Sequence, residues 1–145
     1  MKKSKNTPTT FINVPGNFED KYAAKNPISR KLVTGFLSVL KQHLSTVIYP
    51  KKILEAGAGE GKLTKILAEL YPTAEVIASD LEESVNNKAR VLLAKYKNAK
   101  VQQEDVEKLS FADGAFDLVL CCEVLEHVPH PEKALSELRR VLRPG

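Results

Sequence analysis

The sequence lacks long hydrophobic runs. None of its apolar stretches approaches the roughly 18 residues that a bilayer-spanning helix needs, so we expect neither a transmembrane helix nor a membrane partner. The Lys-rich start leads into Thr, Asn and Pro without the apolar core of a signal peptide, which argues against export by that route. With 43% hydrophobic and 28% charged residues, the composition excludes a wholly disordered or fibrous chain. The length of 145 residues fits one domain.

Cysteine is also scarce. Only Cys121 and Cys122 are present, and a disulfide between neighbouring residues requires a strained geometry. We therefore expect two reduced thiols and a cytoplasmic location. The chain contains no Cys/His spacing typical of a structural zinc site.

Acidic residues are rare in the first third of the chain. Residues 1–52 hold ten Lys/Arg and two acids, whereas residues 53–145 hold twelve Lys/Arg and sixteen acids. A basic segment could meet an acidic partner such as RNA, but no aromatic-interleaved basic run or nucleic-acid motif accompanies it. A solvated tail and helix face is the favoured interpretation, so nucleic acid is not an expected partner.

The residue pattern divides the chain into three segments. Residues 1–17 are polar with Pro and Gly, which predicts a flexible basic arm. Residues 18–50 are predicted to be helical, with a short helix over 18–25 and an amphipathic helix from Asn26-Pro27 to about Ser45. This segment is either a lid over a binding site or an extra core helix. Residues 51–145 form the third segment, in which strand and helix patterns alternate.

This alternation predicts the fold of residues 51–145. The predicted strands are 53–56, 75–80, 100–104 and 116–122, and helices follow the first, second and fourth of them. Strands that alternate with helices indicate an α/β fold, a doubly wound, Rossmann-like parallel sheet with helices on both faces. Ligands of such sheets bind beyond the carboxyl ends of the strands, at the switch point between strands 1 and 4.

A glycine-rich turn, Glu55-Ala56-Gly57-Ala58-Gly59-Glu60-Gly61, follows strand 1. Three classes of ligand-binding loop have patterns of this kind. A mononucleotide P-loop fits poorly, because Ala56 replaces its first glycine and Leu63 replaces its Mg²⁺-binding hydroxyl. A dinucleotide loop fits poorly too, because Lys62 occupies the third small position. The pattern E-x-G-x-G-x-G is matched at every fixed position.

Acidic residues follow strands 2 and 3 at the same sheet edge. Asp80 lies about twenty residues after the glycine turn, where a carboxylate can accept hydrogen bonds from ribose hydroxyls. Leu81 could lie against an adenine face, and Asp105 could accept from an adenine amino group. The alternative for Asp80 is a cap of the following helix.

In this order the motifs resemble those of class I S-adenosylmethionine-dependent methyltransferases of the small-molecule type (methyltransferase type 11). The resemblance covers about residues 51–145 and is carried by segments 52–61, 76–80, 104–111, 116–120, 123–128 and 141–145. It implies a Rossmann-like domain, S-adenosyl-L-methionine as cofactor, S-adenosyl-L-homocysteine as product, and methyl transfer to a small-molecule acceptor.

The resemblance also implies site residues. The cofactor would be held by Glu55, Gly57, Gly59 and Gly61 at its methionine part, Asp80 at the ribose, Leu81, Asp105 and Val106 at the adenine, and Cys122 at the sulfonium. His127 is the candidate general base, with a helix-start or packing role as its alternative. Glu123, Glu126 and His127 are similar to a metal-ligand set of some relatives, but the same letters occur in members without a metal, so no metal is expected.

Members of the family that this sequence resembles continue beyond the segment equivalent to Arg143-Pro144-Gly145 into three further strands. We therefore expect a chain that is truncated after strand 4 and contains the cofactor-binding half of the fold. Strand 4 would then be an apolar sheet edge, which a second copy or a partner chain could cover. A non-catalytic cofactor-binding or assembly module is the alternative function.

Overall fold

The computed structural model describes residues 27–144, apart from the side chain of Ser29. Of the described residues, 27–42 belong to one compact unit and 43–144 to another. The predicted basic arm and the predicted helix over 18–25 lie outside the described residues. The division of the chain at residues 17 and 50, and the lid, therefore stay predictions.

Helices and strands alternate in the described part of the chain, except that no helix separates the third strand from the fourth. They are α1 (Pro27–Leu44), β1 (Lys52–Ala56), α2 (Lys62–Leu70), β2 (Glu75–Asp80), α3 (Glu83–Leu93), β3 (Ala99–Gln103), β4 (Leu118–Cys121) and α4 (Pro131–Val141). Helix α1 begins at Pro27 and ends one residue before the predicted Ser45. Across residues 27–144, no helix combines the length and the hydropathy that crossing a bilayer requires.

The four strands form one parallel sheet in the order β3-β2-β1-β4. This confirms the predicted α/β fold. Because β1 lies between β2 and β4, the order of the strands reverses at β1, which is the predicted switch point. The last residue of β1, Ala56, lies opposite Ser79 of β2 and Cys121 of β4. The segments that leave these three strands therefore start from neighbouring points on one sheet edge.

Side chains of β1 and β2 alternate between two faces of the sheet. On one face, Leu54 and Ile77 belong to a core cluster with Leu138 of α4. On the other face, Ala78 packs with Ala89 and Leu93 of α3. Helices α3 and α4 thus cover opposite faces, and the apolar runs of β1 and β2 are buried because each strand faces helices on both sides.

The predicted range of the fourth strand, 116–122, is wrong at both ends, since β4 spans Leu118–Cys121. Strand β4 begins at Leu118 and not at Phe116, because the Phe116 N–H donates to the Val141 carbonyl at the end of α4 instead of entering the strand ladder. Helix α3 ends at Leu93. On α4, Ala134 is buried, whereas Leu135 and Leu142 are exposed by 54% and 38%.

Candidate functional site

The glycine turn after β1 packs closely against the side chain of Val124 at Gly57. Gly57 has a left-handed φ of 71°, and a Cβ atom there would lie 2.2 Å from Cγ2 of Val124. Val124 belongs to the segment that follows β4. Glycine at position 57 is therefore required by packing between the segments that leave β1 and β4, as well as by its backbone conformation.

The other two glycines differ in their surroundings. Gly61 precedes α2 with a φ of 81°, and a Cβ atom there would lie 3.1 Å from Leu93 of α3. By contrast, a Cβ atom at Gly59 would meet no heavy atom within 4 Å. The backbone around Gly59 is thus the part of the turn that a ligand can approach, and Gly61 allows α2 to pack closely on α3.

Asp80, the last residue of β2, is fixed through both carboxylate oxygens. Oδ2 accepts a hydrogen bond from the Gly59 N–H at 3.0 Å, and Oδ1 accepts one from the Glu82 N–H at 3.1 Å. The N-cap residue of α3 is Glu82, so Asp80 does not occupy the N-cap position that was its alternative role. The carboxylate links the glycine turn to the start of α3 and keeps unused lone pairs on both oxygens.

Leu81 follows Asp80 and is 56% exposed. Its carbonyl accepts a hydrogen bond from Nε2 of Gln103 at 2.8 Å. The end of β3 therefore holds the backbone of Leu81 in place while its apolar side chain stays accessible beside Asp80.

Glu55 is almost fully buried, with 2% of its surface exposed. Its Oε2 atom accepts a hydrogen bond from the Thr64 hydroxyl on α2. Burial raises the pKa of Glu55 to about 8, against the lowering effect of the Thr64 hydrogen bonds, and the Asp80 charge raises it further. The carboxyl is therefore neutral at pH 7, and it lies behind the glycine turn against α2 instead of at the open rim.

The segment after β3 forms a compact loop around Glu104 and Asp105. The buried Glu104 carboxylate accepts hydrogen bonds from the Ser110 N–H and hydroxyl. Asp105 accepts the Glu107 N–H through Oδ1 at 2.9 Å. Among the described residues, Oδ2 of Asp105 and the N–H of Val106 take part in no hydrogen bond. Asp105 is exposed, whereas the side chain of Val106 is buried in the core cluster.

Both cysteines lie where β4 ends and are free thiols. Burial raises the pKa of both, that of Cys122 to about 11, and Glu55, which is ionised at the alkaline pH where thiols titrate, acts in the same direction at each thiol. Cys122 is consequently a neutral, half-buried group at neutral pH. The next residue, Glu123, has a left-handed φ of 55°, a conformation that costs a non-glycine residue about 1 kcal/mol or more.

His127 lies in the segment after β4, and its side chain is 54% exposed. Its Nε2 atom is 4.0 Å from Oε1 of Glu126. Among residues 27–144, no group of three or more His, Cys, Asp or Glu side chains is arranged to hold a metal ion. Glu123, Glu126 and His127 therefore do not form a ligand set in this structure.

Sequence reasoning missed several residues that support the site. Thr64 pairs with Glu55, Asn86 donates to the Asp80 carbonyl at 3.0 Å, and Val124 contacts Gly57. Thr64 and Asn86 are almost fully buried. A polar residue within the apolar stripe of a helix is a signal that could have identified these two, but nothing in the pattern distinguishes Val124 from its apolar neighbours.

Comparison with known proteins shows the family of the chain. A family model described as a methyltransferase domain matches residues 54–145. Over 123 residues, the chain is 33% identical to the malonyl-[acyl-carrier protein] O-methyltransferase of Geobacter sulfurreducens, an alignment that covers 85% of this chain and 44% of that protein. Over 131 residues it is 37% identical to the ubiquinone/menaquinone biosynthesis C-methyltransferase UbiE of Ectopseudomonas mendocina, covering 85% and 51% respectively.

A solved structure gives the same result for the fold. The SAM dependent methyltransferase from Aquifex aeolicus matches with a TM-score of 0.64 and 25% identity, over 72% of this chain and 58% of that chain. The chain spans about half the length of the curated relatives described above. Because the family model matches well over half of the chain, the chain belongs to the methyltransferase domain family, as its motifs predicted.

Proposed function

We propose that this chain binds S-adenosyl-L-methionine beyond the carboxyl ends of β1, β2 and β3 and takes part in methyl transfer to a small-molecule acceptor. The observation that carries the proposal is the hydrogen bond from the Gly59 N–H to Asp80 Oδ2. It joins the open part of the glycine turn to the carboxylate proposed to hold the ribose, so one rigid unit offers both groups to an adenosyl ligand.

The residues present fit this cofactor. Backbone at Gly59 is open to an approaching ligand, and Asp80 is already oriented by two backbone N–H groups. Asp105 and Val106 add an unused carboxylate oxygen and an unused N–H along the same edge. The cofactor carries a cationic sulfonium and a cationic ammonium, and an edge with several carboxyl groups complements them electrostatically.

Adenosine recognition is assigned to the ends of β2 and β3. Asp80 accepts hydrogen bonds from the ribose hydroxyls, and Leu81 packs against the adenine. Asp105 accepts from the adenine amino group, and Val106 offers its N–H to a ring nitrogen. Polar groups that are fixed before binding raise the affinity for the ligand, because few groups remain to be ordered when the ligand binds.

The methionine part is assigned to Glu55, Gly57, Gly59 and Gly61. A cation bound in front of the turn favours the ionised form of Glu55, whereas burial in the free chain favours the neutral form. Glu55 thus holds the turn against α2 through Thr64 in the free chain and gains negative charge when the cofactor is bound.

The reacting end is assigned to the segment after β4. When bound, the cofactor supplies a methyl group attached to a positively charged sulfur. Cys122 lines this position with a neutral thiol that does not compete as a nucleophile, because its pKa is raised to about 11. His127 accepts the proton of an acceptor hydroxyl or acidic carbon, and its exposure leaves the imidazole open to the acceptor.

The cell compartment and the partner surface are also proposals. We assign the chain to the cytoplasm, which agrees with its two free thiols. The outer edge of β4 bears no strand among the described residues. A second copy or a partner chain is proposed to cover this edge, because an unpaired apolar edge strand otherwise promotes aggregation. Light scattering of the chain across a concentration series tests this partner surface.

Calorimetric titration with S-adenosyl-L-homocysteine tests the proposed cofactor site. We expect the intact 145-residue chain to bind, Asp80→Ala to bind at least tenfold more weakly, and Lys100→Ala to bind like the parent chain. Lys100 is a suitable control because its ion pair with Glu75 lies near the amino ends of β2 and β3. Absence of binding by the intact chain would contradict the proposal and favour a purely structural module.

A further inference from the structure

Residues 104–111, here named the β3 loop, are hydrogen-bonded to helix α4 and to its N-cap residue at several positions. Glu137 Oε2 accepts the Leu109 N–H at 2.8 Å, and Arg140 donates to the carbonyls of Leu109 and Phe111 at 2.9 and 2.8 Å. Both contacts hold the second half of the loop. The first half, which contains Asp105 and Val106, has a different attachment.

That attachment is a pair between Glu107 and His130. Glu107 Oε1 accepts the backbone N–H of His130 at 2.9 Å, and Oε2 lies 2.9 Å from His130 Nδ1. The Glu107 side chain is only 15% exposed. Its pKa is lowered chiefly by the hydrogen bond from the His130 backbone, and the carboxylate is therefore ionised at neutral pH. His130 is the N-cap residue of α4, a position where a negative charge is also favoured by the helix dipole.

A short path of hydrogen bonds leads from this pair to Asp105. The His130 ring fixes the Glu107 side chain, and the Glu107 N–H donates to Asp105 Oδ1 at 2.9 Å. The orientation of the Asp105 carboxylate depends on where the backbone of Glu107 lies. The Oδ2 atom, proposed above to meet the adenine amino group, is oriented by the same path.

We propose that the His130–Glu107 pair is a positioning device for adenine recognition, which orients Asp105 from the start of α4. The inference rests on the proposed function, since it presumes an adenosyl ligand at this edge. It assigns roles to two residues outside the glycine turn and the strand ends. His130 and Glu107 do not touch the ligand in this account; they act through Asp105.

The pair can be altered without dismantling the loop. Removal of the His130 ring leaves the backbone N–H of His130 on Glu107, the Glu137 and Arg140 contacts at Leu109, and the Glu104 contacts at Ser110. The expected effect is therefore local. The chain should discriminate less well between ligands with and without the adenine amino group, while its contacts with the rest of the cofactor stay the same.

The experiment compares two ligands that differ at the adenine amino group, S-adenosyl-L-homocysteine and S-inosyl-L-homocysteine. Affinities of both are measured by calorimetry for the intact chain, His130→Ala, His130→Asn, Glu107→Ala and the remote control Lys100→Ala. Asparagine at position 130 can donate from Nδ2 to Glu107, so it serves as the conservative rescue. Circular dichroism melting of each variant reports its folding.

We expect the preference of the intact chain for the adenosyl ligand to fall roughly three- to tenfold in His130→Ala and in Glu107→Ala. It should return in His130→Asn and stay unchanged in Lys100→Ala. A purely structural role would weaken both ligands in parallel and leave their ratio constant, and that result overturns the inference while leaving the proposed function standing. If the intact chain binds neither ligand, the proposed function fails as well.

Discussion

Replacement of Glu55 by Gln tests the most unusual electrostatic feature of the site. The side chain is 2% exposed, and its carboxyl is bonded to the Thr64 hydroxyl. Burial raises its pKa from 4.5 to about 8. Glutamine keeps the shape and an oxygen acceptor for Thr64 but cannot ionise, so the substitution removes the titration and little else.

The sign of the effect on stability follows from proton binding. Between pH 4.5 and about 8, the unfolded chain has lost the Glu55 proton while the folded chain retains it, so folding takes up a proton. The free energy of unfolding therefore falls as the pH rises through this window. At 1.36 kcal/mol per pH unit, the raised pKa of Glu55 lowers the free energy of unfolding by at most about 5 kcal/mol. This loss of stability is absent below pH 4.5 and complete above about pH 8.

Urea unfolding at several pH values from 4.5 to 8.5, followed by circular dichroism, measures this effect. We expect Glu55→Gln to gain stability relative to the parent chain as the pH rises, by up to about 5 kcal/mol across the window. Glu132→Gln, a substitution of an exposed carboxylate in the first turn of α4, should show no such trend. If the difference between Glu55→Gln and the parent does not change with pH, the reasoning about a neutral buried carboxyl is refuted.

Three further predictions concern other parts of the site. Gly57→Ala should lower the free energy of unfolding in urea by about 2–4 kcal/mol, because of the clash with Val124 and the left-handed backbone. Gly59→Ala should lower it by only about 1 kcal/mol. Equal losses of stability in the two variants would contradict the packing argument. Cys122 should react with iodoacetamide at pH 8 far more slowly than the amino acid cysteine in solution, because its pKa is raised to about 11. Rapid alkylation of Cys122, measured by mass spectrometry, would contradict this prediction. Arg140→Met should lower the free energy of unfolding by about 2–4 kcal/mol, since carbonyls of the β3 loop lose their donor; an unchanged urea midpoint would contradict this.

The sheet was predictable because its strands have a strong local signal. The predicted range of β2 is the observed Glu75–Asp80, and β1 differs by one residue. Both strands are short apolar runs that are buried on two faces, and their limits are marked by charged residues and by Pro or Gly. The start of α1 at Pro27 was also predicted, because Pro at the first helical position is a local preference.

The boundaries of β4 could not be predicted in the same way. Phe116 is as apolar as the strand residues after it, but its backbone pairs with Val141 and Arg143. The Asp117 carboxylate in turn accepts the N–H groups of Lys51 and Lys52. These partners are distant in sequence, so no local pattern shows that the chain turns into the strand only at Leu118.

The structure places predicted site residues together at the sheet edge, and their roles in binding stay predictions. Asp80 and the glycine turn lie together, as strand order required. The burial of Glu55 against Thr64, the contact of Val124 with Gly57 and the Glu107–His130 pair all depend on packing between elements. A polar residue such as Thr64 within an apolar stripe can be recognised in the sequence, but composition and spacing do not show which groups these side chains contact.

A crystal structure of the chain with S-adenosyl-L-homocysteine tests the central claim most directly. We expect the adenosyl group beyond the carboxyl ends of β1, β2 and β3, with the ribose hydroxyls on the Asp80 carboxylate, the adenine amino group at Asp105 and the ligand against the backbone of Gly59. Ligand density at any other place on the chain, or an Asp80 carboxylate that contacts no ligand atom, would contradict the account.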